Sequence, residues 1–170
     1  MPSVKRKPLH QAMGGKVDEQ EQKVAAPAPS ANMQVIFRYY GKFGAADWEG
    51  LKREDFHPQI TWNMPGHHPL SGTHSGPDAV AAFLQCLYKA GIHVEDVHVG
   101  ELDDGVTVVE KHVGHANYKG EEFLFPTATT YEMRDGRIFH VQVHNGDPQA
   151  AERFMWLAFP LKPVPDRLQG

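Results

Sequence analysis

Past Gly91 the chain is broken by Asp104-Gly105, Lys119-Gly120 and Asp135-Gly136 into four segments in which apolar residues recur at every second position. An X-Gly pair supplies the positive φ that a tight hairpin turn requires, and a period of two is that of a half-buried strand. Neighbours joined by such short turns pair antiparallel, because a parallel pair needs a crossover of a dozen residues or more. The C-terminal half is therefore predicted to be an antiparallel meander, and the rest of the domain has to pack against it.

Upstream the period changes. Val80, Phe83, Leu84, Leu87 and Tyr88 form one apolar stripe, opened by Ser75-Gly76-Pro77 and closed by Gly91, which predicts a helix. Ile36, Tyr39, Tyr40 and Phe43 repeat at helical spacing, and Asp47 can cap a second, short helix carrying Trp48 and Leu51. Between these helices, Ile60, Trp62 and Met64 alternate with Thr61 and Asn63, a strand over Gln59 to Met64 that runs into Pro65-Gly66 and then a loop. After Asp147 a short helix through Phe154 and Trp156 is expected. The fold class is α+β. Three helices cannot cover both faces of a curved sheet this long, so they should pack on its concave side and leave part of it hollow. The convex side then needs a polar coat or a partner, and a homodimer is the expectation.

Composition narrows the function classes. With 170 residues there is room for one domain, and 41% apolar against 22% charged side chains allows a real core. Residues 1–31 hold no aromatic and carry Gly14-Gly15 and an Ala-Pro-Ala-Pro-Ser run, the composition of an unfolded tail. The domain is expected over 32–159, with a Pro-rich C-terminal arm over 160–170. A net charge of -4 gives no general attraction to phosphate backbones or anionic lipid, so no nucleic-acid or membrane partner is expected. Lys5, Arg6 and Lys7 are too few to change that. The single cysteine, Cys86, excludes an internal disulfide framework and fits a reducing compartment. No apolar run is long enough to span a bilayer or to follow the basic N-terminus as a secretory signal, and a cytoplasmic location is expected.

Three stretches carry a resemblance: WNMPGHHPLSGTHSGPDAVAAF at Trp62 to Phe83, RDGRI at Arg134 to Ile138, and HNGDPQAAERFMW at His144 to Trp156. They are similar to the SnoaL-like polyketide cyclase and ketosteroid isomerase-like branch of the nuclear transport factor 2-like superfamily, over about residues 33 to 158. The resemblance implies a cone-shaped, curved, antiparallel-rich sheet with three helices on its concave face, often dimeric, and a ligand cavity at the wide end. It also implies chemistry by acid and base side chains without metal or organic cofactor, although the superfamily includes binding and transport modules as well.

Strand parity decides which polar groups reach such a cavity. From Val106 to Ala116, one parity holds Val108, Glu110 and His112 and the other Val109, Lys111 and Val113, and the pattern alone leaves both faces open. Lys111 is the costliest to bury, which turns its parity outward and Glu110 and His112 inward. A carboxylate beside an imidazole favours the charged pair while desolvation opposes it, so the two can exchange protons near neutral pH. In the last strand Phe139, Val141 and Val143 should line the interior, with Ile138, His140 and His144 outside. Some relatives place a carboxylate near Val143 and an arginine near Lys111, and this chain has neither. The resemblance places a general acid or base near Asp147, which can equally cap the following helix.

Tyr40, Trp62, Phe83, Thr129 and Tyr131 are further candidates for the cavity wall, the first two with polar tips that can position a carbonyl or hydroxyl. His68 is expected to overhang the mouth. His67, His68 and His74 form no metal-binding signature, and His112 and His115 fall on opposite faces of a regular strand, so no metal is expected.

The expected function is a cofactor-independent enzyme that moves a proton on a largely apolar, oxygenated small molecule, by cyclisation, isomerisation or dehydration. His112 and Glu110 act as base, and Asp147 or Tyr40 as acid. The alternative is a binding module that uses the same cavity without chemistry.

Overall fold

The computed structural model describes residues 28–161. The unfolded tail expected at the N-terminus and the C-terminal arm therefore lie almost wholly outside the described residues. Helix α1 (Ala31–Gly44) starts where Ser30 turns its hydroxyl onto the Met33 amide, and buries Val35, Ile36, Tyr39 and Phe43. Asp47 caps the short α2 (Trp48–Gly50) by accepting from the Gly50 amide, and a π-turn over Leu51–Asp55 leads into β1 (Phe56–Met64).

The loop expected after β1 contains a strand of its own, β2 (Gly72–Ser75), which pairs antiparallel with Thr61–Met64. Its four residues are too few, and too polar, to show a period. Helix α3 (Pro77–Lys89) buries Val80, Ala81, Phe83 and Leu84, while Tyr88 at the edge of its stripe stays exposed. The meander follows as β3 (His93–Glu101), β4 (Thr107–Tyr118), β5 (Glu121–Arg134) and β6 (Arg137–Asn145), and α4 (Pro148–Ala158) closes the domain. Lys119-Gly120 and Asp135-Gly136 have positive φ at both residues, the backbone that a right-twisted two-residue hairpin needs.

The six strands run in the order β2-β1-β6-β5-β4-β3, antiparallel throughout except where β6 lies parallel to β1. Register shifts in β3 between Glu95 and His98, in β1 between Phe56 and Thr61, and between β5 and β6 at Glu132/Met133 break the ladder. An extra residue in one strand bends it and raises its twist, which is why the sheet curves and stays unclosed. The bulge in β6 reverses one expectation. Met133 pairs with Ile138 and Glu132 with His140, so Phe139 is skipped, Ile138 is fully buried, and Phe139 turns outward under the Arg134 guanidinium. Beyond it Val141 and Val143 point inward as expected.

On the concave side α1, α3 and α4 bury Ile36, Tyr39, Phe83, Leu84, Phe154 and Met155 against Val108, Phe123, Phe125, Tyr131 and Val141. No helix among the described residues is long and apolar enough to cross a membrane.

Candidate functional site

The helices do not fill the concave side completely. Between α1, α3, α4 and strands β1, β4, β5 and β6 lies a cavity in which the centre of a water molecule can range over about 90 Å³. Tyr40, Trp62, Phe83, Thr129, Tyr131 and Val143 line it, as does His112. The wall is mostly hydrocarbon and aromatic ring, with a few convergent polar groups, the usual make-up of a small-molecule site.

The polar groups gather on one side. The inward parity of β4 carries Val108, Glu110 and His112, and Lys111 is exposed on the other face. Glu110 is fully buried and His112 partly so, and Glu110 Oε1 lies 2.6 Å from His112 Nδ1. The Tyr40 hydroxyl from α1 stands 3.3 Å from the same nitrogen and 3.5 Å from the Tyr131 hydroxyl. Nδ1 carries at most one hydrogen, and the shorter contact, to a carboxylate, takes it. The imidazole then donates through Nδ1 to Glu110, and Nε2 is left as its basic atom. Two buried side-chain atoms have no partner among the described residues, Glu110 Oε2 and Trp62 Nε1.

The tyrosines answer to the same surroundings. Burial pushes the Tyr40 hydroxyl well above its ordinary range, and neighbouring Tyr131 and Tyr39 and the Glu110 charge push it further the same way. Burial, and after it the Glu110 charge, raises Tyr131 too. Both therefore remain neutral hydroxyls across the working range of an enzyme and serve as hydrogen-bond donors, not as bases. Tyr39, Trp62 and Tyr131 pack ring against ring at 5.7 to 6.2 Å between centroids and hold Tyr40 in place from behind.

Three of the residues expected at the site lie elsewhere. Asp147 is exposed and accepts from the Ala150 amide at 2.9 Å; it caps α4 and does not line the cavity. The chain turns at Gly146, whose amide bonds Pro126 O, and that turn carries the carboxylate outward. His68 is buried in its own loop and not at the mouth, with Nε2 on Pro65 O and Nδ1 accepting from the Leu70 amide. Val141 is fully buried beneath the wall and takes no part in lining it. The sequence reading passed over Thr127 and Asn145, which line the cavity and share the parities of Thr129 and Val143, so the alternation alone could have found them.

The SnoaL-like domain family matches residues 36–141. Comparison with curated protein sequences finds no match. Among solved structures, Bal32a from a soil-derived mobile gene cassette is 26% identical, with a TM-score of 0.68 over 74% of this chain and 96% of its own. TerC co-crystallised with polyporic acid is 23% identical at 0.64, covering 74% and 98%. The epoxide hydrolase/cyclase-like enzyme SalBIII, of pyran ring formation in the polyether salinomycin, is 16% identical at 0.58, covering 68% and 90%. Since the matched segment spans more than half of the sequence and carries α3, both long central strands and the His112 wall, this chain belongs to the SnoaL-like domain family and has the nuclear transport factor 2-like fold.

Proposed function

We propose that this protein is a cofactor-independent acid–base enzyme that removes a proton next to a carbonyl of a small, largely apolar substrate, as the first step of a cyclisation, isomerisation or water loss. The observation that carries this reading is the Glu110–His112–Tyr40 constellation on the wall of an otherwise apolar cavity. His112 Nε2 takes the proton from carbon, and the C–H electron pair moves into the new carbon–carbon double bond while the carbonyl electrons go to oxygen. Tyr40 donates its hydroxyl hydrogen to that oxygen, and Tyr131 donates to Tyr40 in turn. Glu110 holds the imidazole by Nδ1 and stabilises the imidazolium formed. The proton then returns from Nε2 to another carbon or to a departing hydroxyl. Donors held in a site shut off from water act on the developing charge without first reorganising, which makes them stronger than in solution.

The acid and base stand side by side, which suits a carbonyl and the carbon next to it better than an epoxide opened from opposite faces. The polyporic acid with which TerC was co-crystallised and the pyran ring formation in which SalBIII takes part agree with an oxygen-bearing substrate. Incubation with polyketide-like, steroid-like and terpenoid ketones in deuterium oxide should show deuterium entering next to the carbonyl, with mass-neutral or water-loss products. General acid–base help is worth about a hundredfold to ten-thousandfold, and His112→Ala should lose that much turnover while remaining folded. A His112→Ala variant as active as the parent would end the assignment.

A second reading, a binding module, is favoured by Asp147 standing outside and by Val143 where some relatives have a carboxylate, which leave Glu110–His112 as the one acid–base pair at the cavity among the described residues. Tight binding of a ketone from the panel with no deuterium uptake would decide for it.

A further inference from the structure

His112 is one end of a row across the sheet. It pairs with Thr127 on β5, and Thr127 pairs with Asn145 on β6, so three inward-facing residues lie abreast on neighbouring strands, all of them lining the cavity. Strand spacing puts the ends of this row about 10 Å apart. The middle is chemically mute, since the Thr127 hydroxyl is buried and donates at 3.0 Å to Phe125 O, leaving its methyl as the group on offer. The row therefore reads polar, apolar, polar.

The far end is unengaged. Gln142 bonds Asn63 and Val143 O, and Asp147 bonds the Ala150 amide, but the Asn145 carboxamide makes no hydrogen bond among the described residues. Asn145 also borders a second hollow, between Pro65-Gly66 and the start of α4, where Gln142, His144 and Glu152 stand. β1 leaves the sheet at Pro65 while β6 runs on to Asn145, and the gap between them makes that hollow. Val143 and Asn145 are common to both spaces, which places Asn145 where the apolar cavity meets the outer cleft.

From this juxtaposition we infer that Asn145 is a substrate-holding residue, and that the ligand is an apolar body with oxygen functions at two opposite ends, one at His112 and Tyr40 and the other at Asn145. A carboxamide both donates and accepts, so it takes a hydroxyl or a carbonyl equally well. This rests on the reading of the His112 end as the reacting end, but it fixes something that reading leaves open, the second recognition point and the length between the two.

The test uses equilibrium binding, which needs no chemistry. The probes are 2,6-dihydroxynaphthalene, with an oxygen at each end, and 2-naphthol, with one, followed by quenching of tryptophan fluorescence. The intact protein should bind the diol about five- to tenfold more tightly, the worth of one neutral hydrogen bond in a buried site. Asn145→Leu should erase that advantage and leave 2-naphthol within about twofold of the parent. Asn145→Asp, which keeps an acceptor, should retain it. Equal affinity of the two probes for the parent, or an advantage that survives in Asn145→Leu, overturns the inference. Retained turnover in His112→Ala would sink the acid–base reading and leave this binding result standing.

Discussion

Among the described residues two carboxylates are buried to complete exclusion from solvent, Asp55 and Glu110, and they are buried in opposite ways. Asp55 ends the π-turn ahead of β1, with Lys42 Nζ 2.5 Å from one oxygen and the Arg38 guanidinium 3.1 Å from the other. Both of its oxygens are paired with cations from α1. Glu110 has an imidazole on one oxygen and nothing on the other. A carboxylate fully paired in a buried place ties elements together, and removing it strands its partners. One left half-satisfied costs stability and persists only where something else is gained from it. The difference separates the group that docks α1 onto the sheet from the group that tunes a histidine.

The largest effect should therefore come from the satisfied carboxylate. Asp55→Ala leaves Lys42, itself largely buried, without its closest partner, while Arg38 is half exposed and can turn to water. A loss of about 3 kcal/mol is expected, at the low end for breaking a buried pair, read as a lower urea midpoint at unchanged slope. Whatever remains folded should turn over normally. If Asp55→Ala left stability intact but stopped the reaction, the roles assigned to the two carboxylates would have to be exchanged.

Next in size is Tyr40→Phe, which removes the donor next to His112 without opening space. Loss of one such donor costs about a hundredfold to a thousandfold in turnover. Because burial keeps this hydroxyl neutral, the loss should be the same at pH 7 and pH 9, and a pH-dependent loss would mean that Tyr40 ionises as a base. Glu110→Gln comes third and reverses Asp55→Ala in kind. It exchanges a half-paired buried charge for a neutral amide of the same shape, so stability should stay within about 1 kcal/mol of the parent or rise. Turnover should fall about a hundredfold as the imidazolium loses its counter-charge. Urea denaturation and deuterium uptake on the same preparation measure both.

How far the sequence could carry this differs between the two carboxylates. Glu110 and His112 were legible because a regular strand alternates strictly and Lys111 between them had to face water, so one costly side chain oriented the whole strand. Phe139 was misplaced by the same logic, since a single skipped residue in β6 inverts the alternation and nothing in the local pattern marks a bulge. Asp55 gave no sign of burial, because its cations come from α1 and only the π-turn brings them together. Asp147 was the reverse case, offered both as a helix cap and as a general acid or base, and the structure shows the cap. A cap fixes the local backbone, and the direction of the carboxylate follows from it.

The smallest predicted effect lies at the surface end of the Asp55 network. Lys42 bonds Asp55 and, at 2.7 Å, Glu54, which Arg53 also approaches. Hydrogen bonds from Lys42 and then Arg53 hold the Glu54 carboxyl down, from an ordinary 4.5 to about 2. A carboxyl that is more acidic folded than unfolded stabilises the fold fully above pH 4.5. As the pH falls from there, the unfolded chain takes up a proton that the folded one declines, and the contribution shrinks until it is gone below about pH 2. Glu54→Gln should lower the urea midpoint slightly at pH 7 and flatten its dependence on pH within that window. Since the carboxylate is about half exposed, added salt should weaken the effect in the parent. Lys42 joins Glu54 to Asp55, so the Glu54 share of the acid-sensitive slope belongs to the α1 side of the molecule. A Glu54→Gln profile that tracks the parent from pH 4.5 to pH 2 would show that the slope does not arise in this network.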